Sequence, residues 1–369
     1  MTNSDGGSAS FSQSVSALVT SHGFAHGYEA TGHSLSASVV AGEGGRMQTD
    51  YDYRAARHRP EPVQAMILKG SQRSGAKPLA VHLLNERDND HLQPLELRGF
   101  VPDQLVGALD ETGIAGAARA IMTTDTFPKG AMATVDLPGG QVKIAGIAKG
   151  SGMIAPDMAT MLVYVFTDAR IARADLQAMV SDINARSFNC ITVDSDTSTS
   201  DTLLMGATGA SGVTVPAAAT AFPTALEEVF LDLAHQVVRD GEGATKFVEI
   251  TVKGTKNDED AQIIARTIGN SLLCKTAFFG QDPNWGRFAC AVGYAGVDFD
   301  PACLKIAVDN VVLCDNGIVA EYREEDAAAV MQHPEFTLSI SMGQGNGSAV
   351  FWTSDLSHDY VSINADYRS

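Results

Sequence analysis

Leu226, Val229, Phe230, Leu233 and Val237 recur at intervals of three and four residues. That spacing gathers them on one stripe of a helix and predicts a helix over 224–239. Thr224 and Glu227 have the spacing of a capping box, and Gly241 follows the far end. A second helix is predicted over 258–273, with Ile263, Ile264, Ile268 and Leu272 turned inward. Short apolar runs of strand length lie at 142–147, 161–167, 247–252, 288–294, 306–308 and 337–340. From about residue 119 onward the pattern is therefore regular α/β. Residues 1–60 differ: they are rich in Ser, Gly, Ala and His and carry no sustained periodicity, so no element is predicted there. Residues 84–97 are charged and irregular, and the change of pattern between 100 and 119 is abrupt. No internal repeat is evident.

At 369 residues the chain is long enough for two domains, or for one large domain with an appendage. A net charge of −18 argues against nucleic acid and anionic membranes as partners. The first residues, Met1-Thr2-Asn3-Ser4-Asp5, have no basic region and no apolar run, so a secretory signal is not expected. No stretch approaches the length of a membrane span. The five cysteines, Cys190, Cys274, Cys290, Cys303 and Cys314, are scattered and form no Cys-x-x-Cys. A reduced, cytoplasmic protein is expected.

The chemistry begins at residues 149–162, Lys-Gly-Ser-Gly-Met-Ile-Ala-Pro-Asp-Met-Ala-Thr-Met-Leu, followed by an apolar run to Phe166. Thr160 thus stands where a Gly/Pro-rich loop meets a strand. Such a loop can hold a strained backbone. A Thr there, preceded by small Ala159, can attack the carbonyl just before it. Hydrolysis of the resulting ester would make Thr160 a new N-terminus. Its α-amine, with an ordinary pKa of about 7.7–8.0, could then act as base for its own hydroxyl. On pattern alone, a loop-to-strand Thr with no chemistry is the favoured reading, because β-branched residues favour strands.

Seven ordered motifs add to this. They are Ala120-Ile121-Met122-Thr123-Thr124-Asp125-Thr126-Phe127-Pro128-Lys129, the run from Gly146 through Leu162, and Ser187-Phe188-Asn189. Next come the run from Val193 to Thr202 and Asp240-Gly241-Glu242-Gly243-Ala244-Thr245-Lys246. Last are Asp282-Pro283-Asn284-Trp285-Gly286-Arg287 and the segment from Asp359 to Ser369. Together these resemble ornithine acetyltransferase, also called glutamate N-acetyltransferase, the ArgJ family. The resemblance covers about 119–369 and leaves residues 1–98 unmatched.

The resemblance implies a layered α/β sandwich of the ornithine acetyltransferase/DmpA type with a smaller α/β C-terminal part. It implies self-cleavage between Ala159 and Thr160, giving an alpha chain 1–159, atypical over 1–118, and a beta chain 160–369. Two copies of each would associate. The implied reaction moves an acetyl group from N-acetylornithine to glutamate in arginine biosynthesis, with Thr160 as the covalent relay. No cofactor or metal is implied, although acetyl-CoA is a possible co-substrate. Substrate contacts carried over by motif are Thr123, Lys149, Thr160, Glu242, Asn364 and Ser369. The residue types suit the chemistry. Amino-acid substrates need a cation for the carboxylate and a carboxylate for the ammonium. Lys149 lies inside the glycine-rich loop and Glu242 between two glycines, a poor packing position and a good ligand position.

One family motif is missing. The Ser-Thr-Gly-Val-Ile-Gly run, whose Thr-Gly pair forms the family's oxyanion hole, is not found upstream of Thr123. Thr112-Gly113-Ile114-Ala115-Gly116 is the nearest likeness and reads as a loop between helical segments. Two other readings therefore stand beside the transferase: an N-terminal-nucleophile amidase or aminopeptidase, and a non-catalytic relative that lacks the oxyanion hole. The Asp- and hydroxyl-rich run from Val193 to Thr202 lacks the Gly and terminal Glu of a calcium loop. Gly343-Gln344-Gly345-Asn346-Gly347 reads as a turn between strands, since no helix follows it to receive a phosphate.

Overall fold

In the computed structural model, residues 2–19, 25–41, 48–57, 113–155, 161–197, 202–216 and 218–366 are described. The chain divides into two units, Met1–Asp110 and Glu111–Ser369.

The first unit contains three antiparallel strands in the order β1-β2-β3: β1 (Thr2–Val19), β2 (Ala25–Ala41) and β3 (Gln48–Arg57). Nothing in the sequence reading predicts them. A strand signal is nevertheless present: Ser8, Ser10, Ser12, Ser14 and Ser16 recur at every second position. That period of two is easily overlooked, because the intervening residues are Ala, Phe, Gln, Val and not a uniform apolar set.

The second unit is the layered α/β structure expected. One sheet has the order β4-β5-β6-β8, formed by β4 (Lys129–Leu137), β5 (Gly140–Lys149), β6 (Leu162–Thr167) and β8 (Thr202–Ala207). The other has seven strands. They are β7 (Ile191–Thr192), β9 (Phe247–Thr255), β10 (Lys305–Val308), β11 (Val311–Asp315), β12 (Ile318–Val319), β13 (Glu335–Ser341) and β14 (Gly347–Ser354). Their order is β12-β11-β10-β13-β9-β14-β7.

The helices are α1 (Gly113–Ala120), α2 (Arg173–Arg186), α3 (Ala221–Arg239), α4 (Asp258–Asn270), α5 (Leu272–Phe279), α6 (Trp285–Gly293), α7 (Glu324–Gln332) and α8 (His358–Asp366). Helix α3 packs on β4 and β5 and also touches β14 and β7, so it joins the two sheets. It fully buries Leu226, Phe230, Leu233 and Val237, the stripe read from the sequence. Each such side chain contributes roughly 1.5–3 kcal/mol on burial. Helix α4 packs on β9 and β14.

Four local expectations need correction. Thr224 is not an N-cap, because α3 starts earlier, after Thr220, and Glu227 instead pairs with Arg186. The predicted second helix breaks at Ser271, whose hydroxyl caps the start of α5 by accepting from the Cys274 N–H. Ile263 and Leu272 are accordingly exposed, while Ile264 and Ile268 are fully buried. Residues 288–293 belong to α6, which Tyr294 ends, and not to a strand. Asn284 caps that helix, and Phe288, Ala291 and Val292 are buried at helical spacing. Gly113 begins α1, so the Gly113–Gly116 stretch is helical and not a loop.

Candidate active site

Strand β5 ends at Lys149 directly opposite Leu162, the first residue of β6. The loop between them therefore starts and finishes side by side. Gly150 has φ +150°, and a side chain there would meet Ile154 at 2.9 Å. Met153 adopts φ +55°, an uncommon conformation for a non-glycine residue. Residues 156–160, including Ala159 and Thr160, lie outside the described residues, as does Ser369.

Thr123, Lys149, Glu242 and Asn364 come together around the described part of this loop. The Lys149 ammonium is buried and donates to Thr123 Oγ1 at 3.2 Å. Among the described residues it has no carboxylate partner. A buried cation with a single hydroxyl partner is costly unless something anionic joins it. The Glu242 backbone N–H donates to the Ser151 carbonyl at 2.9 Å. Its carboxylate lies over Gly152: a Cβ at that position would sit 2.5 Å from the carboxyl carbon, so the site requires glycine. The Asn364 amide donates to Glu242 Oε2 at 2.8 Å. Gly243 has φ +68°, and a Cβ there would strike the Tyr360 backbone N at 2.5 Å. Two glycines thus let the Glu242 turn fit between the loop and α8.

Three buried charges hold the Thr123 side of the site. Lys129 Nζ donates to Asp125 Oδ1 at 2.6 Å and to Asp240 Oδ2 at 2.5 Å. Asp125 also accepts from the backbone N–H of Thr123 at 3.0 Å and of Gly150 at 2.8 Å. Burial pushes the Asp125 carboxyl up, but Lys129 and these two N–H groups outweigh it and leave it below the usual carboxylate range. Asp125 thereby fixes Thr123 beside the residue that follows Lys149. Asp240 accepts from the Thr126 N–H at 3.0 Å and from its hydroxyl. It is therefore a buried clamp and not a solvated turn residue. The sequence alone assigns no role to Lys129, Asp125 or Asp240. Lys129→Met should destabilise the protein by about 3–5 kcal/mol, because two carboxylates would remain buried without their cation. Urea denaturation checks this.

Behind Glu242, Asp355 accepts from the N–H of Thr245 at 2.7 Å and of Lys246 at 2.9 Å. The neighbouring Lys275 is fully buried and donates to Thr353 Oγ1 at 2.9 Å and to the Ser354 carbonyl. Burial depresses its pKa to about 7, against the pull of Asp355 and Asp194. In an unfolded chain a lysine titrates near about 10.4. Between those values the unfolded chain binds more protons, so this group makes stability rise with pH from about 7 to about 10. Urea midpoints measured across that window should show the rise, and Lys275→Met should remove its share.

The ArgJ family profile matches residues 92–369. The chain belongs to the ArgJ family. The match begins earlier than the motifs from 119 indicated. Residues 1–69 match a different profile, the PmbA/TldA metallopeptidase central domain. The chain is 58% identical over 266 residues to the arginine biosynthesis bifunctional protein ArgJ of Ruegeria pomeroyi, covering 72% of this chain and 65% of that one. It is 44% identical over 309 residues to the ArgJ protein of Chlorobium chlorochromatii, covering 83% and 72%. This chain thus spans only about two thirds of the length of such relatives. The crystal structure of the ArgJ protein of Bacillus halodurans superposes with a TM-score of 0.53 at 39% identity, covering 56% of this chain and 98% of that chain. Among the described residues no helix is long and apolar enough to cross a membrane.

Proposed function

We propose that this chain cuts itself between Ala159 and Thr160 and then transfers acetyl from N-acetylornithine to glutamate. The observation that carries this reading is the placement of two opposite charges at one loop: a buried Lys149 ammonium with no carboxylate partner among the described residues, at the start of the loop that leads to Thr160, and the Glu242 carboxylate lying over Gly152 of that loop. Lys149 would take the substrate carboxylate and Glu242 the ammonium. The Thr160 hydroxyl attacks the acetyl carbonyl, the amide C–N bond breaks, and ornithine leaves with the proton. The glutamate amine then attacks the acetyl ester and returns the hydroxyl. The sequence of steps is ping-pong.

Length supports the cleavage. Covering 98% of the Bacillus halodurans chain with 56% of 369 residues makes that chain about 211 residues long. The segment from Thr160 to Ser369 has 210 residues. The proposal includes two alpha and two beta chains in the cytoplasm, no cofactor, and acetyl-CoA as a second acetyl donor.

A second reading keeps the fold and the pocket without catalysis. It is favoured by the match of residues 1–69 to another family and by the missing Ser-Thr-Gly-Val-Ile-Gly run upstream of Thr123. Incubation with N-acetylornithine separates the readings. A transferase consumes it faster when glutamate is added, an amidase at the same rate, and a non-catalytic relative leaves it intact.

A further inference from the structure

We propose that Asp194 and Tyr360 form a latch that couples the substrate-reading helix α8 to the loop that precedes Thr160. Both are positioning residues, and the inference rests on the acetyl-transfer reading above. Asp194 accepts from the backbone N–H of Met153 at 2.7 Å and of Ile154 at 3.0 Å. Those two bonds hold the loop at its positive-φ residue, Met153. The same turn grips the loop from the other side. The Val193 N–H and the Thr192 hydroxyl both donate to the Ile154 carbonyl, at 2.9 and 3.0 Å.

The same Asp194 oxygen that accepts from Met153, Oδ2, also reaches α8. The Tyr360 hydroxyl donates to Asp194 Oδ2 at 3.3 Å. Burial and the Asp194 charge push that phenol above its ordinary range, so it stays a protonated donor. One helical turn later, Asn364 donates to the Tyr360 carbonyl at 3.0 Å and to Glu242 at 2.8 Å. Glu242 in turn donates its N–H to Ser151 of the same loop. The contacts close a ring: loop, Asp194, Tyr360, Asn364, Glu242, loop. A substrate ammonium that draws on Glu242 and Asn364 therefore acts on the loop through two routes. Only one of them, the Glu242 N–H, is independent of the latch.

The test uses Tyr360→Phe and Asp194→Ala in the full chain, with two readouts. Amide hydrogen exchange at Met153 and Ile154 needs no activity. Asp194→Ala should speed it at both amides by tenfold or more. Tyr360→Phe should speed it too, although Tyr360 touches neither amide. In steady-state kinetics, Tyr360→Phe should raise KM for N-acetylornithine about tenfold, the scale of a lost hydrogen bond to a charged group, with a smaller change in kcat. Asp194→Ala should lower kcat and slow self-cleavage. A double variant no worse than Asp194→Ala alone is expected if the pair acts as one unit. Unchanged loop exchange in Tyr360→Phe, with the helix still folded by circular dichroism, would overturn the latch. If the native protein transfers no acetyl, the functional reading fails, while the exchange measurement still decides the latch.

Discussion

Thr160→Ala should leave a single chain of 38.8 kDa on a denaturing gel, where the native protein should give two shorter ones. The effect is complete because self-cleavage needs one specific atom, the Thr160 hydroxyl, and alanine has none. Acetyl transfer should vanish with it, since the same hydroxyl carries the acetyl group. The described parts of the loop that precedes this bond are held in a constrained conformation. Lys149 and Leu162 pair across adjacent strands, so both ends of the loop are pinned. Within it, Gly150 and Met153 both stand at positive φ. Such conformations cost of order 1–3 kcal/mol each for non-glycine residues and persist only where surrounding contacts impose them. Here those contacts come from Asp125 and Asp194. Continued cleavage of Thr160→Ala at this bond would remove the hydroxyl from the mechanism.

Glu242→Gln should weaken the use of N-acetylornithine by well over tenfold while self-cleavage continues. The substitution keeps the shape of the side chain, its backbone bond to Ser151 and an oxygen for Asn364. What it removes is the negative charge. Glu242 is half-buried before substrate arrives. Once a bound ammonium covers it, loss of one partner of the charge pair costs about 2–5 kcal/mol, much of it from leaving the other charge unpaired. The cleavage step involves no substrate, so it should not notice the change. Separate measurements of kcat/KM and of cleavage in the purified variant check both halves. Unchanged kinetic constants would take Glu242 out of the site.

The parts of this site that could be read from sequence have local signatures. Glu242 lies between Gly241 and Gly243, where a Cβ would press on Val193 and collide with α8, respectively, and its carboxyl occupies the space a Cβ at Gly152 would take. Lys149 ends a strand-length apolar run at a glycine-rich loop. Helix α3 was legible because its apolar residues keep one period over many turns. The parts that were not legible depend on partners far along the chain. Lys129 and Asp240 are 111 residues apart, and Tyr360 and Asp194 are 166 apart. No local pattern announces such pairs, because each residue alone resembles an ordinary polar surface residue. Short apolar runs fail for another reason. Phe288, Ala291 and Val292 fit a strand or a helix until the Asn284 cap decides between them.

Thr160 should become a free N-terminus and carry the acetyl group. Mass spectrometry of the purified protein incubated with N-acetylornithine and no glutamate tests it most directly. The account predicts a fragment beginning at Thr160 that gains the mass of one acetyl group and loses it when glutamate is added. An uncut chain, or a cut chain that never gains that mass, would contradict it.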